Sequence, residues 1–288
     1  MIKCPLCEGA PIFAFSKYGF DILDCSKCRH RFCSLPEQEP HVHTEKHYGD
    51  EYFNGGGAGY ANYLDEGRLL RKHGRRYGKI LAQRIKPGNV LDIGSAAGFF
   101  LQGLTDQGWK GKGIEPNGKM ALHARQELGI HVDEGAFESY QTDEKFDLVT
   151  MVQVIAHFLN PLEAVRKAAG HLKPRGHLLI ETWNRSSWTA KLFGKNWHEY
   201  SPPTVLQWFD LKGLQELAEK SSLVQVGHGR PSKWLDGAHA KSLLGHMLQG
   251  SKARFTLPLL KAIPNAMPIP YPSEDLVWML FKKEDRMP

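Results

Sequence analysis

The chain has 288 residues, of which 41% are hydrophobic and 24% charged, and carries a net charge of +6. These are ordinary values for a globular protein with a full core, and the length suits one large domain or two unequal ones. No apolar run approaches the roughly 20 residues of a membrane span, and the opening residues, MIKCPLC, lack the apolar stretch of a secretory signal. A cytoplasmic location is therefore expected, where close-spaced cysteines are read as metal or redox groups before disulfides. The positive charge leans towards anionic partners without specifying one.

Cys4, Cys7, Cys25 and Cys28 form two C-x2-C pairs separated by 17 residues. A tight turn carrying two cysteines three apart can aim both thiolates at one ion, and two such turns complete a tetrahedron. Between them, GAPIFAFSKYGFDILD reads as short strands. Residues 1–45 are expected to form a zinc-ribbon module, too small to fold without its metal. Cys33 falls outside the spacing and is expected to be a spare thiol. His30 is a less well placed alternative ligand. His41, His43 and His47 read as a polar linker.

Residues 46–85 are expected to be a linker and a helix, with a mobile loop at 50–60 around Gly55, Gly56 and Gly57. In the helix Leu70, Tyr77 and Leu81 recur at helical spacing among Arg68, Arg71, Lys72, Arg75, Arg76 and Lys79. Gly67, Gly74 and Gly78 should weaken it. Its basic face suits RNA, phosphate or an anionic membrane, or is simply a solvated face beside a sheet.

Residues 86–288 alternate in type. Strands are expected at 89–93, 111–115, 130–133, 146–152 and 176–182, and helices near 99–107, 118–128, 161–172 and 207–220. Two more strands are expected at 223–229 and 275–283. Such alternation implies an α/β fold with a parallel sheet covered on both faces. The loop after the first strand then lies at the carboxyl edge, where ligands bind. It reads Asp92-Ile93-Gly94-Ser95-Ala96-Ala97-Gly98, which misses the G-x-G-x-x-G spacing of a dinucleotide loop. Asp92 would repel a pyrophosphate but suits a cationic ligand.

With its acidic residue and spaced glycines, this loop resembles the first motif of the class I S-adenosylmethionine (SAM) dependent methyltransferases. Asp92, Gly94 and Gly98 match the family pattern, while Ala96 replaces its middle glycine. A methyl group is tolerable there if the backbone keeps a negative φ. Other segments follow in the family's order: GKGIEPN, EGAFES, FDLVTMVQVIAHFLNP and LKPRGHLLIETWN. The resemblance covers about residues 45–283. It implies a Rossmann-like seven-stranded methyltransferase sheet with SAM held by Asp92, Gly94, Ser95, Ala96, Gly98, Phe99, Glu115, Pro116, Phe137, Glu138, Gln153 and Val154. Glu115 would take the ribose hydroxyls, and Phe137 with Glu138 the adenine. The chain is most similar to the small-molecule branch, such as the ubiquinone-pathway O-methyltransferases, which implies a small-molecule or lipid-linked acceptor.

Methyl transfer needs a base only where the acceptor must lose a proton. His157, after the fourth strand, is the first candidate, with His198 and Tyr200 behind it. Trp183, Trp188 and Trp197 read equally as an acceptor pocket or as core. No metal constellation stands out near the fourth strand, so no magnesium dependence is expected. Residues 230–272 interleave lysines with leucines before a run of prolines, and read as a helical lid or an amphipathic stretch able to lie on anionic lipid. Two alternatives stay open: an RNA methyltransferase whose ribbon and basic helix hold RNA, and a non-catalytic zinc-dependent interaction protein.

Overall fold

The computed structural model describes residues 2–35, 43, 47–53, 62–241 and 262–285. Gly55–Gly57, His41 and residues 242–261 of the expected lid lie outside these.

Three strands open the chain: β1 (Pro11–Lys17), β2 (Phe20–Cys25) and β3 (Arg31–Cys33). A short helix α1 (Asp50–Phe53) and the long α2 (Gly67–Ala82) follow. The alternating region then runs β4 (Asn89–Ile93), α3 (Phe99–Thr105), β5 (Lys110–Glu115), α4 (Gly118–Glu127), β6 (Val132–Glu134), β7 (Phe146–Val152), α5 (Pro161–His171) and β8 (Leu172–Trp183). It ends with α6 (Trp188–Phe193), β9 (Gln207–Trp208), α7 (Leu211–Glu219), β10 (Leu223–Gly229), β11 (Trp234–Leu235), β12 (Ile269–Pro270) and β13 (Leu276–Lys283).

The main sheet has seven strands in the order β10-β13-β8-β7-β4-β5-β6. It is parallel from β8 to β6, while β13 runs antiparallel between β8 and β10. The strand order reverses at β4, which pairs with β5 on one side and β7 on the other. That switch point opens a crevice beyond the carboxyl ends of the strands. Val90, Leu91 and Ile93 are all buried, as befits a strand covered on both faces. Among the described residues no helix is long and apolar enough to cross a membrane.

Four features differ from the sequence reading. The expected helix at 207–220 splits: Gln207–Trp208 pairs with β3, and the helix starts only after Asp210, whose carboxylate accepts the Gly213 N–H at 2.8 Å. Part of the expected loop at 50–60 is helix α1, tied to α4 by an ion pair between Asp50 and Lys119. Within the segment expected as a helical lid, β11 and β12 form a two-stranded ribbon. The fourth concerns the glycines of α2. A Cβ on Gly74 would lie 2.1 Å from the Phe100 carbonyl oxygen, and one on Gly103 would lie 2.2 Å from that of Arg71. These glycines let α2 and α3 touch backbone to backbone, so they build the helix pair instead of weakening it. The basic face of α2 is partly engaged. Arg71 and Arg75 both bind Asp106, and Lys72 and Arg76 lie over the Trp234 ring.

The amino-terminal strands do not stand apart. With β9 they form one four-stranded sheet, β1-β2-β3-β9. The Cys33 N–H donates to the Leu206 carbonyl at 2.8 Å, and Lys220 Nζ reaches the Leu6 carbonyl at 2.7 Å. Leu6, Leu23 and Phe32 share a core cluster with Phe209, Leu214 and Leu217.

The close helix contact predicts opposite outcomes for two glycines. Gly74→Ala should cost about 1–3 kcal/mol or more, since backbone cannot retreat from the added methyl. Gly170→Ala, with open space around its Cβ in α5, should range from neutral to about 1 kcal/mol stabilising. Thermal melts of the two variants check both.

Candidate active site

The loop after β4 turns sharply under the cleft. Gly94 has φ +68° and Gly98 φ +79°, and a Cβ at Gly94 would come within 2.7 Å of a Val154 methyl. Ala96 also takes a left-handed backbone, at φ +47°. The condition under which alanine was expected to be harmless is therefore not met. What holds it is a hydrogen bond: the Ala96 N–H donates to Glu115 Oε2 at 2.9 Å. The Asn117 N–H donates to Glu115 Oε1, also at 2.9 Å. Asn117 in turn caps α4 by accepting the Met120 N–H at 3.0 Å. Burial pushes the Glu115 carboxyl up to about 7, against the pull of those two N–H donors. Asp92, beneath the turn, accepts from Thr150 Oγ1 at 2.5 Å, and burial likewise raises it to about 7.

Above the loop lies a cleft of about 830 Å³, open to solvent on one side. Gly94, Ala96, Glu115, Pro116, Phe137, Glu138, Gln153 and Val154 all border it, so most of the expected cofactor residues converge. Asp92 and Ser95 border an adjoining chamber of about 640 Å³, which shares Gly94, Gln153 and Tyr63 with the cleft. Phe99 and Gly98 lie behind the loop: Phe99 packs with Tyr63 and Ala97, and Gly98 caps α3.

His157 stands between the cleft and a third chamber of about 670 Å³. Its Nδ1 lies 2.7 Å from the Thr204 carbonyl. A carbonyl only accepts, so Nδ1 carries the proton and the neutral ring leaves Nε2 as an acceptor. Burial lowers its pKa, which keeps the imidazole neutral. Trp183, Glu199, Thr204 and Lys233 line the same chamber.

The other two candidate bases sit differently. His198 is buried edge-on to Trp183, with its Nε2 3.3 Å from Glu199 Oε1 and no hydrogen bond to either ring nitrogen. Burial drives it down to about 3 and lifts Glu199 to about 8. Tyr200 borders none of these chambers. Its hydroxyl accepts from Arg31 Nη1 at 2.7 Å, and its ring packs on Phe15, Trp197 and Trp208. It belongs to the joint between β3 and the main domain. The three tryptophans also part ways: Trp183 is chamber wall, Trp197 is core with its Nε1 on Asp275 Oδ2 at 2.9 Å, and Trp188 is exposed.

At the amino-terminal sheet, the Cys4, Cys7, Cys25 and Cys28 sulfurs all lie within 4.8 Å of one another. The nearest pairs are 3.6 Å (Cys4–Cys28) and 3.4 Å (Cys7–Cys25), close to the roughly 3.8 Å edge of a tetrahedral ZnS4 centre with 2.3 Å bonds. Backbone N–H groups of Leu6 and Lys27 point at the Cys4 and Cys25 sulfurs at 3.4 Å, as second-shell donors to thiolates do. Cys33 stays outside, its thiol directed at the Ser34 carbonyl. His30 is taken by Gln207 Oε1 at 2.8 Å.

A methyltransferase-domain family model matches residues 64–225. The chain belongs to that family. The seven-stranded order and the antiparallel β13 are its Rossmann-like fold. Among curated relatives, a ubiquinone biosynthesis O-methyltransferase of Rickettsia felis is 30% identical over 129 residues, covering 39% of this chain and 52% of that protein. One from Actinobacillus pleuropneumoniae is 27% identical over 153 residues, covering 44% and 65%. The matches thus span between about half and just under two thirds of those relatives. A solved SAM-dependent methyltransferase from Thermotoga maritima shares the fold at 21% identity and TM-score 0.50, covering 77% of this chain and 92% of that one.

In this methyltransferase-family chain several site residues escape motif reading. Tyr48, Tyr52, Phe53 and Tyr63 wall the cleft. The Tyr48 hydroxyl donates to the same Thr204 carbonyl that holds His157, at 2.6 Å. Their sequence signal was a cluster of aromatics beside glycines, which reads as loop. Gln153, at φ +58°, is clamped by Glu181 Oε1 at 2.7 Å, and Glu181 is itself bound by His73 and Tyr77 from α2. Burial works to raise Glu181, but the His73 charge and these donors hold it down to about 2.

The left-handed alanine sets up a measurable contrast. Ala96→Gly relieves about 1 kcal/mol of strain while adding about 0.4–1 kcal/mol of unfolded-state entropy, so urea melts should show a change near zero. Ala97→Gly, fully buried with an ordinary backbone, should lose about 1 kcal/mol or more.

Proposed function

We propose that this chain is a SAM-dependent methyltransferase acting on a small-molecule or lipid-linked acceptor. The observation that carries the reading is the sequence of groups along one cleft, from Glu115 past the Gly94 turn to His157 at the edge of a polar chamber. A carboxylate has about four acceptor positions. Two on Glu115 are filled from behind by Ala96 and Asn117, which leaves two for a vicinal diol such as the cofactor ribose. Phe137 and Glu138 would border the adenine, and Gly94 lets the ligand lie close to the backbone.

Bound SAM supplies a methyl group already activated on a sulfonium. The chain's part is to align the acceptor and exclude water. Tyr48, Tyr52, Phe53 and Tyr63 cover the cleft with rings. His157, its proton held on Nδ1 by Thr204, keeps Nε2 to take a proton from the acceptor. The names of the curated relatives support a small acceptor. The engagement of Arg71 and Arg75 by Asp106 weighs against an RNA-holding helix.

Within this scheme the 86–288 domain holds cofactor and acceptor, and Tyr48, Tyr52, Phe53 and Tyr63 of the 46–85 segment cover the cleft. Residues 1–45 are a zinc ribbon that braces the 200–209 segment, where Thr204 orients His157. Zinc would be held by Cys4, Cys7, Cys25 and Cys28 and would supply folding energy.

The decisive experiment is transfer of labelled methyl from SAM into fractionated cell extract. Label should enter the low-molecular-weight or lipid fraction, whereas label in nuclease-sensitive material would overturn the proposal. Glu115 adds a pH signature. Burial pushes its carboxyl up to about 7, and ribose hydroxyls donate more strongly to the ionised form than to the protonated one. SAM affinity should therefore be flat above about pH 8 and weaken as pH falls through 7. Calorimetry should show Glu115→Gln binding about 10–100-fold more weakly and with a smaller pH step, the remainder coming from Asp92, which burial also raises to about 7. Metal analysis should find one zinc per chain, lost in Cys4→Ser and retained in Cys33→Ser. Retention in both would refute the site.

A further inference from the structure

Lys233 is a cation in a walled position with no carboxylate of the described residues in contact; Glu199, across the same chamber, acts on it only at longer range. It lies between β10 and β11, half-buried, and borders both chambers that flank the cleft. Its Nζ donates to Gln153 Oε1 at 3.0 Å and sits 5.2 Å over the Trp183 ring. Both partners are neutral, and no carboxylate of the described residues lies within 4 Å of it. The carboxyls nearby are engaged elsewhere. Glu66 binds His239, Glu181 binds His73, Tyr77 and Gln153, and Asp92 binds Thr150. Glu199, lifted to about 8 by burial, gives little negative charge at neutral pH. A partly desolvated ammonium without an anion is unfavourable unless a ligand brings one.

The chamber lined by Asp92, Ser95, Glu66 and Lys233 continues the cleft past the Gly94 turn, on the side away from Glu138. If Glu115 holds the ribose, that chamber receives the other end of the cofactor, an amino acid with one ammonium and one carboxylate. Asp92 and Glu66 border the same chamber, and each keeps acceptor positions that Thr150 and His239 do not fill, which an ammonium could use. Of the basic groups that line the chamber, His73 is bound by Glu181, and Lys233 touches only Gln153 and Trp183. We propose that Lys233 is the counter-ion for the cofactor's α-carboxylate, read by a side chain delivered from the segment between β10 and β11. This assignment rests on the SAM-binding reading above. Gln153, clamped by Glu181, fixes the height at which the ammonium sits.

The test compares two ligands on two proteins by calorimetry: SAM and decarboxylated SAM, with wild type and Lys233→Met. Methionine keeps the stem's packing and removes only the charge. The wild type should bind SAM about 10–100-fold more tightly than the decarboxylated ligand. Lys233→Met should weaken SAM by about that factor and leave decarboxylated SAM nearly unchanged, a coupling that a merely misfolded variant cannot give. Lys233→Arg should restore most of the preference. Equal binding of both ligands by the wild type overturns the assignment while the methyltransferase reading stands. So does an equal loss of both in Lys233→Met, which would direct Lys233 to an acceptor anion or to structure. Failure of the wild type to bind SAM at all would overturn both readings together.

Discussion

A carboxylate buried at the end of a strand must find hydrogen bonds, and the way Glu115 finds them shapes the whole site. It is 3% exposed and takes one backbone N–H from each side, Ala96 from the loop after β4 and Asn117 from the start of α4. To aim its N–H at Glu115, Ala96 adopts a backbone that favours glycine. To free its own N–H, Asn117 caps α4 with its side chain instead. Asn117 also reaches Tyr48 and Asp50 through its amide, at 3.3 Å each, and so anchors the aromatic wall. Loop, helix cap and cleft wall are thus three consequences of satisfying one buried group.

The second organising contact is the continuation of the amino-terminal sheet into the main domain. β9 is only two residues long, yet it joins β3 to the segment that carries Thr204. Gln207 turns its side chain to His30 on one side and to the Phe158 and Leu159 carbonyls on the other. Arg31 is fixed by Asp24 and reaches Tyr200. The position of the Thr204 carbonyl, and with it the proton on His157, is therefore mechanically linked to the cysteine-bearing strands. Disruption of the four-cysteine group would be felt at the imidazole through packing, without any direct contact.

Much of this was legible from residues alone because it depends on local rules. The apolar runs at 89–93 and 146–152 are buried strands, the Asp-x-Gly turn follows the first, and a carboxylate, Glu115, ends the strand expected at 111–115. Cys4, Cys7, Cys25 and Cys28 were placed together by their spacing, since two short turns need only one ion to meet. The misreadings share a cause. Gly74 and Gly78 look like helix breakers until a partner helix is laid against them, and Ala96 looks harmless until its φ is known. Tyr200 follows His198 closely in sequence, yet its hydroxyl turns to Arg31 and away from the chambers. Gln207–Trp208 looked like the first turn of a helix because no local signal announces a strand partner 175 residues away; Phe32 pairs with Gln207.

By itself the sequence determined the order of strands and helices, the cofactor-type turn with its acidic neighbours, and the grouping of four thiols. These follow from periodicity, turn chemistry and ligand spacing, which act over a few residues. Only the tertiary structure decided which side chains face one another across the cleft. It brought Tyr48, Tyr52 and Tyr63 to the cleft that Glu115 borders, put Lys233 beside Gln153, and directed the His157 proton towards Thr204. Those contacts join segments tens to more than a hundred residues apart. Their geometry is set by how the sheet twists and by which buried polar groups must be paired, and neither leaves a local mark in the chain.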